Sequence, residues 1–223
     1  MKKENAIMLN GVWAFGYTKG APENGKIGLP QNEFAAQMPV PGYWDDNINR
    51  LNRTVRWSRG YAFNPDYRRV YYPMGAGKPA DSSLPFIYGT GWYKKCVFIP
   101  ENAHCAVLKI GGATLDTEAW VNGVYLGRHE GQLTPFEFEI GDKLKLNAEN
   151  EIIIAVCNTR RGIASCITRG YKGMSGGIYG DVTIEYSTAA RIAQIFACPD
   201  EALKTLSWNV KISGSSPMGL VFQ

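Results

Sequence analysis

The alternation of apolar and polar residues is clearest over residues 115–131, LDTEAWVNGVYLGRHEG, where it predicts a β-hairpin. Ala119 and Val121 share one face of the first predicted strand, and Asn122-Gly123 follows directly. Both residues of this dipeptide tolerate the positive φ angles of a type I′ turn, and an Asn-Gly pair between alternating segments is the strongest short-range hairpin signal. We therefore expect a tight antiparallel hairpin in the middle of the chain.

Short alternating or apolar runs recur along the whole chain, whereas a helical period is almost absent. The 12 Tyr, 6 Trp and 25 Gly also favour strands and tight turns. The further predicted strands are Leu9–Tyr17, Trp92–Pro100, Cys105–Ile110, Phe136–Ile140, Ile152–Val156, Ile178–Tyr186, Ala190–Ala197 and Thr205–Ser213, and Phe34–Val40 is a short apolar run that prolines end. A short helix is predicted only around Ile48, Leu51 and Val55, so the predicted fold class is all-β.

The pattern changes after Ser187, where strands with one apolar face follow each other as at the start of an immunoglobulin-like sandwich. Leu206, Trp208, Val210 and Ile212 share such a face. A complete sandwich of this type needs about 100 residues, far more than residues 187–223 provide. We expect one domain over residues 1–186 and a truncated second domain over 187–223, whose open strand edges leave pairing with another copy of the chain open.

Two irregular segments are rich in arginine. Thr159–Gly177 combines arginine with glycine, and Asn47–Gly91 interleaves arginine with aromatic residues. Such a mixture suits single-stranded nucleic acid. It equally suits a sugar cleft, where guanidinium groups donate to hydroxyl or carboxylate oxygens and rings stack on sugar faces. A surface loop pinned by its own aromatic residues is the structural alternative. Long irregular segments in compact domains are often functional.

Composition excludes several classes. The net charge of +4 is too small for a nucleic-acid-binding face. The five cysteines contain no CxxC pair and predict buried free thiols, with Cys96 and Cys157 inside apolar runs. The N-terminal residues lack the apolar stretch of a signal peptide, and no segment is long and apolar enough to cross a membrane. We expect no membrane association, and a cytoplasmic or a periplasmic location both stay open.

Several motifs in order resemble the N-terminal sugar-binding domain of glycoside hydrolase family 2, the family of β-galactosidases and β-glucuronidases. The motifs lie in Leu9–Trp13, Val40–Trp44, Thr90–Lys95, Val121–Gly123, Gly127–Gly131, Pro135–Ile140, Asn150–Val156 and Gly177–Val182. The resemblance covers most of residues 8–186. It implies a jelly-roll β-sandwich of the galactose-binding type, followed in the family by an immunoglobulin-like domain and a TIM barrel.

The sequence departs from the family pattern at three places. Gly180 stands where the family has arginine in its G-I-Y-R segment, and no acidic residue occupies the positions of Gly170 and Tyr171. Arg69 stands before the segment that matches V-x-Y-P, where family β-galactosidases have asparagine. Galactose specificity is therefore not implied. Arg69 and Arg169 indicate a substrate that carries a carboxylate or a sulfate, or a different sugar.

The residues themselves offer no catalytic centre. Retaining glycoside hydrolysis needs two carboxyl groups about 5–5.5 Å apart, and the resemblance places both on a barrel that these residues do not include. Glu137 and Glu139 share the solvent face of a predicted strand, while Glu118 and Glu130 flank the hairpin near Arg128. His104 and His129, the only histidines, have no acidic or thiol cluster in register. We expect no metal and no cofactor.

The favoured hypothesis is the N-terminal carbohydrate-binding and scaffolding domain of a retaining glycoside hydrolase, not catalytic by itself. It would contact the downstream domains and lend one wall of the substrate cleft, with Trp57, Arg69, Arg169 and Tyr171 as substrate contacts. A free-standing carbohydrate-binding module is the second hypothesis. A purely structural or partner-binding sandwich is the third.

Overall fold

The structure is a computed structural model that describes residues 5–19, 26–30, 34–43, 89–159, 176–188 and 190–214. Almost all regular structure in these residues is strand, with one 3₁₀ turn at Gly141–Lys143. The strands are β1 Asn5–Met8, β2 Gly11–Lys19, β3 Ala36–Val40, β4 Gly42–Tyr43, β5 Gly89–Ile99, β6 Cys105–Ile110, β7 Asp116–Val121, β8 Val124–Glu130, β9 Phe136–Glu139, β10 Ala148–Cys157, β11 Gly177–Ile178, β12 Val182–Ser187, β13 Ala190–Pro199 and β14 Leu206–Gly214.

Two antiparallel sheets form a sandwich. The large sheet has six strands in the order β3-β2-β5-β10-β7-β8, and the small sheet has four in the order β1-β12-β6-β9. Strands β4 and β11 form a two-stranded pair beside them, and β13 and β14 form a separate hairpin. Strands far apart in the sequence, such as β1 and β12, pair with each other. This arrangement confirms the predicted all-β jelly-roll architecture.

The core lies between the facing sides of the two sheets. The large sheet contributes Trp13, Phe15 and Tyr93, and the small sheet contributes Leu108 and Ile184, all of them buried. Successive strand residues point to opposite faces, so the residues between these, such as Val12 and Phe98, lie outward and are half exposed. The alternation within the predicted strand Leu9–Tyr17 is thus confirmed.

The central hairpin is confirmed. Asn122 and Gly123 have φ angles of 50° and 82° and join β7 to β8. The turn is also tied to β10, because the Asn122 side chain donates to Asn150 Oδ1 at 2.8 Å and accepts from the backbone N–H of Glu151 at 3.1 Å. The register shifts between Ala119 and Trp120, where the pairing contains a bulge.

Three predictions about strands need correction. The predicted strand Ile178–Tyr186 is two strands, β11 and β12, separated at residues 179–181. The break arises because the backbone N–H groups of Tyr179 and Gly180 both donate to Gly112 O, at 3.1 and 3.0 Å, instead of to a strand partner. The predicted Ile152–Val156 extends to ten residues as β10, and β1 precedes the first predicted strand.

The prediction of buried thiols holds for Cys105 and Cys157 and is wrong for Cys96 and Cys198, which are exposed, while Cys166 lies outside the described residues. Cys96 is on the outward face of β5, next to the outward-facing Lys94 and Phe98 positions, where nothing apolar in the described residues covers it. The apolar run around it therefore belongs half to the core and half to the surface. The predicted short helix at residues 48–55 lies outside the described residues. No helix that could span a membrane occurs in the described part of the chain.

Hairpin β13–β14 has one apolar face. Its cross-strand pairs Ile192–Ile212, Ile195–Val210, Ala197–Trp208 and Pro199–Leu206 alternate with polar pairs. The predicted shared face of Leu206, Trp208, Val210 and Ile212 is thus confirmed. Ile195 is 52% exposed and Trp208 61%, so this face is open in the described part of the chain.

Candidate functional site

The two arginine-rich segments leave the sandwich at the same end. Residues 44–88 run between β4 and β5, and residues 160–175 run between β10 and β11. Tyr43 pairs with Gly177, and Gly89 N–H donates to Asn158 Oδ1 at 2.9 Å while Asn158 N–H donates to Gly89 O at 3.2 Å. The start of each segment therefore lies beside the end of the other. We call these four flanking residues, Tyr43, Gly89, Asn158 and Gly177, the loop-bearing end.

The link between the two halves of this end is the chain from Ala113 to Asp116. Thr114 donates to Gly177 O from its backbone N–H at 3.1 Å and from its hydroxyl at 3.3 Å. Two residues later Asp116 pairs with Cys157, next to Asn158. Leu115 between them has a φ of 58°, an uncommon value for a residue of its size. These bonds join β11 to the ends of β7 and β10.

An aromatic pair also occupies this end. The rings of Tyr43 and Tyr179 stack with centroids 5.3 Å apart and planes 27° apart, and burial raises the pKa of the Tyr179 hydroxyl. A side chain at Gly180 has no room here, because its Cβ would lie 2.3 Å from Gly112 N. The chain thus departs from the family arginine at a position where its backbone packs against another backbone.

A charged cluster lies on the outer face of β7 and β8. Arg128 donates to both oxygens of the buried Asp116, at 2.5 and 2.9 Å, and to Glu130 at 3.2 Å. This bidentate geometry is the strongest form of the guanidinium–carboxylate pair, and its hydrogen bond to Asp116 raises the pKa of Arg128. Of the two glutamates that flank the hairpin, Glu130 thus pairs with Arg128. Asp116 serves to hold Arg128 and has no free oxygen for acid–base chemistry.

Glu118 does not join that cluster. Its carboxylate accepts the backbone N–H groups of Ile27 and Gly28, at 3.2 and 3.3 Å. Trp92 Nε1 donates to Gly28 O at 3.0 Å. Residues 26–30, which we call the strap, are therefore bound across the outer face of the large sheet by one carboxylate and one indole.

The strap covers an apolar patch on that outer face. Ile27 is buried against a cluster made of Trp92, Trp120, Ile153, Ala155 and Cys157. The rings of Trp120 and Tyr125 lie 5.5 Å apart, and Tyr125 is 50% exposed at the rim. Burial, followed by the charge of Glu118, raises the pKa of the Tyr125 hydroxyl. The sequence did not predict this strap, because alternation marks outward positions without showing what covers them.

The substrate contacts predicted from the sequence, Trp57, Arg69, Arg169 and Tyr171, lie outside the described residues. The structure describes only the anchors of the two segments that carry them. The His129 ring stacks on Phe136, and its Nε2 has no hydrogen-bond partner among the described residues.

Glu137 and Glu139 lie on one outward face of β9, as predicted, but they bind Arg191 of β13. Nothing in the sequence pattern links residues this far apart, since charge alone does not identify a partner. Within the described residues, no group of three or more His, Cys, Asp or Glu side chains is placed to hold a metal ion.

Comparison with known proteins places this arrangement in a family. Residues 7–187 match the family model described as glycosyl hydrolases family 2, sugar binding domain. The β-glucuronidase of Chlorocebus aethiops is 36% identical over 87 residues, which cover 35% of this chain and 13% of that protein.

Solved structures share the fold. A β-glucuronidase from an uncultured Clostridium species aligns with a TM-score of 0.61 at 18% identity, over 96% of this chain and 35% of that chain. A putative β-galactosidase from Bacteroides fragilis aligns with a TM-score of 0.61 at 20% identity, over 96% of this chain and 29% of that chain. The chain thus spans about a third of the length of these solved structures.

Proposed function

Since this chain belongs to family 2 of the glycosyl hydrolases and carries the sugar binding domain of that family, we propose that it lends one wall of the substrate cleft to a retaining glycoside hydrolase. The acid pair of such an enzyme, two carboxyl groups about 5–5.5 Å apart, would come from downstream domains of the same polypeptide. The outward carboxylates of this sandwich that we have described are already bound, to Arg128, to the strap or to Arg191. They therefore support the sandwich rather than a reaction.

The observation that carries the proposal is the common origin of the two arginine-rich segments. Gly89 and Asn158 bond to each other, and Tyr43 pairs with Gly177, so both segments depart from one end. Side chains on two such segments can act on one ligand, whereas segments at opposite ends could not. Trp57, Arg69, Arg169 and Tyr171 remain the proposed substrate contacts.

The proposed substrate class is a glycoside with a carboxylate, of the glucuronide type. Arg69 and Arg169 carry the guanidinium groups that bind carboxylates in a planar, two-bonded geometry. The curated relative of Chlorocebus aethiops and the solved Clostridium protein are both named β-glucuronidases. The net charge of +4 is compatible with an anionic substrate but does not select one.

We further propose that residues 187–223 begin an immunoglobulin-like domain. Hairpin β13–β14 supports this, because its exposed apolar face has the alternation of a sandwich strand pair awaiting an opposite sheet. Further strands of the same polypeptide would cover Ile195 and Trp208. The catalytic part would follow that domain.

The test compares two substrates that differ only in the carboxylate, a chromogenic glucuronide and the corresponding glucoside, in the polypeptide that includes the downstream domains. Arg69→Ala and Arg169→Ala should each lower kcat/KM for the glucuronide by about tenfold or more, because a hydrogen bond to a charged group contributes roughly 1.5–3 kcal/mol. The glucoside should lose much less. Arg68→Ala, the adjacent arginine, is the matched control.

An equal loss of kcat/KM on both substrates would refute the proposed contact with the carboxylate. Unchanged kcat/KM on both substrates would refute the proposal that these segments form a wall of the cleft. Calorimetry of the 223-residue chain with glucuronic acid addresses the second hypothesis, the free-standing module. Measurable binding by this chain alone, with no activity in any longer polypeptide, would favour that module over the cleft wall.

A further inference from the structure

Hairpin β13–β14 is fixed to the outer face of the small sheet at its base. Arg191 on β13 and Ser213 on β14 are cross-strand partners, and both contact β9. Arg191 Nη2 donates to Glu137 Oε1 and to Glu139 Oε1, the second bond being 3.1 Å long. The Ser213 hydroxyl donates to the same oxygen of Glu139 at 2.7 Å. Both strands of the hairpin therefore bind one strand of the sandwich.

A further contact lies at the neighbouring strand of the small sheet. Cys105 Sγ on β6 donates to Ser213 O at 3.5 Å. The link between the two units is short, since β12 ends at Ser187 and β13 begins at Ala190, and the Ser187 hydroxyl donates to Ala190 O at 3.1 Å. The hairpin base is thus held from the linker and from two strands of the sandwich.

The burial of Arg191 makes this contact unusual. Its side chain is 6% exposed, whereas those of Glu137 and Glu139 are 35% and 52% exposed. A guanidinium group is almost never buried unless it is paired, and a buried charge that loses its partner destabilises a protein strongly. Arg191 therefore depends on the two carboxylates of β9 for its burial.

The carboxylates depend on Arg191 in turn. Glu137 and Glu139 stand two residues apart on one strand and so project from the same face. Their charges repel when no cation lies between them. Burial lowers the pKa of Arg191, but the hydrogen bonds to Glu137 and Glu139 outweigh this and raise it, so the guanidinium stays charged between them.

We propose that Arg191 is a positioning residue that locks hairpin β13–β14, and the polypeptide that continues from it, to the outer face of β9. The domain that carries the proposed sugar-binding segments and the domain that begins with the hairpin then keep one fixed relative position. The evidence for this docking is the set of hydrogen bonds that Arg191 and Ser213 make to β9. Its consequence for catalysis rests on the proposed function.

The geometry also says which substitution should be tolerated. A single nitrogen of Arg191, Nη2, makes the bonds to both glutamates of β9, and the buried Nε of Arg191 has no partner among the described residues. One ammonium nitrogen can in principle replace one guanidinium nitrogen. Arg191→Lys should therefore keep most of the docking, while Arg191→Met, which keeps an unbranched apolar chain but carries no charge, should lose it.

The first test is amide hydrogen exchange on the 223-residue chain. In Arg191→Met, the amides of β13 and β14 should exchange at least tenfold faster, while those of β5 and β10 keep their protection. Arg191→Lys should stay within a few-fold of the original chain. Lys211→Met, which removes an exposed cation from the same face of β14, is the matched control and should change nothing.

A reciprocal variant tests the pairing. Glu137→Gln combined with Glu139→Gln should speed hairpin exchange as Arg191→Met does. Adding Arg191→Met to that pair should speed exchange little further, because the effects of substitutions at contacting residues do not add. Unchanged hairpin exchange in Arg191→Met would overturn the proposal. So would full additivity of the three substitutions.

A kinetic readout separates this proposal from the proposed function. In the polypeptide with the downstream domains, Arg191→Met should lower kcat several-fold with KM for the glucuronide nearly unchanged, and Arg191→Lys should restore it. Faster hairpin exchange together with unaltered kcat would support the docking and overturn its role in catalysis. If Arg69→Ala lost activity and Arg191→Met did not, the proposed cleft wall would be supported and the catalytic role of the docking would be refuted.

Discussion

The environment of His129 opposes a charge on its ring. Its ring lies flat on Phe136, with centroids 3.9 Å and planes 9° apart, and burial lowers the pKa of the imidazole, which the carboxylate of Asp116 opposes. Its buried Nε2 has no acceptor among the described residues, and its cross-strand neighbour Thr117 likewise has a buried hydroxyl without a partner there. A proton on this ring would therefore be poorly accommodated in the folded state.

We predict that His129 makes the chain less stable at mildly acidic pH. Above the unfolded pKa of about 6.5 both states are neutral and the residue has no effect on pH dependence. As the pH falls below that value, the unfolded state takes up the proton first, so stability decreases until the pH passes the lower folded pKa. Urea unfolding of the original chain and of His129→Gln at pH 7.5 and pH 5 should show a smaller decrease for the variant.

The second histidine provides the control for this prediction. His104 is exposed in the turn before β6, so His104→Gln should lose as much stability between the two pH values as the original chain does. If the free energy of unfolding fell equally in His129→Gln and in the original chain between pH 7.5 and pH 5, the carboxylates of the chain rather than His129 would account for the acid sensitivity.

At the scale of elements, the sequence pattern predicted where the strands lie far better than which strands pair or contact each other. Trp13 and Phe15 both lie in the core, as the alternation within the predicted strand Leu9–Tyr17 requires, because alternation reports the face directly. The split of β11 from β12 was missed, because it follows from bonds between Gly112 and residues 179–180 that no local pattern encodes. Cys96 was misassigned for a related reason, since an apolar run does not say which of its residues point outward.

The hydrogen bonds of the strap to Glu118 lead to a testable expectation about proteolysis. The Lys26–Ile27 peptide N–H donates to Glu118, so trypsin can cut after Lys26 only when the strap leaves the sheet. Glu118→Ala removes the acceptor of both strap N–H groups, and a bond to a charged group contributes roughly 1.5 kcal/mol or more, about tenfold in opening. A fragment beginning at Ile27 should therefore appear about tenfold faster, as read by mass spectrometry.

Glu130→Ala is the matched control for the strap. It removes a carboxylate from the same outer face, but that carboxylate binds Arg128 and not the strap. The variant should release the Ile27 fragment at the original rate. Equal acceleration in both variants would mean that the whole outer face had loosened, and no acceleration in Glu118→Ala would mean that Ile27 burial alone retains the strap.

At the scale of the whole molecule, family and domain type could be derived from ordered motifs, while the arrangement of the site could not. Arg69 and Arg169 were selected by residue type and by their place in the family pattern. That the two segments share an end depends on the pairing of Gly89 with Asn158, residues far apart in the chain. The contact of Arg191 with β9 has the same origin, because ion pairs between residues far apart in the chain leave no periodic signal.

The exposed apolar face of hairpin β13–β14 bears on the state of the chain in solution. Monomeric proteins rarely expose large contiguous apolar patches, and an open strand pair favours association. The 223-residue chain should therefore self-associate with increasing concentration in sedimentation experiments, and Trp208→Lys should weaken this. Stability should hardly change, because Trp208 is 61% exposed and is not part of the described core.

Phe196→Lys separates the two faces of this hairpin. Phe196 is 55% exposed but pairs with Asn209 on the opposite, polar face, so the same added charge should leave self-association almost unchanged. Equal weakening by both substitutions would indicate a general effect of charge instead of a contact through the apolar face. A polypeptide whose further strands cover Ile195 and Trp208, as proposed, should show no such association and no response to Trp208→Lys beyond a loss of stability, because the side chain would then be buried.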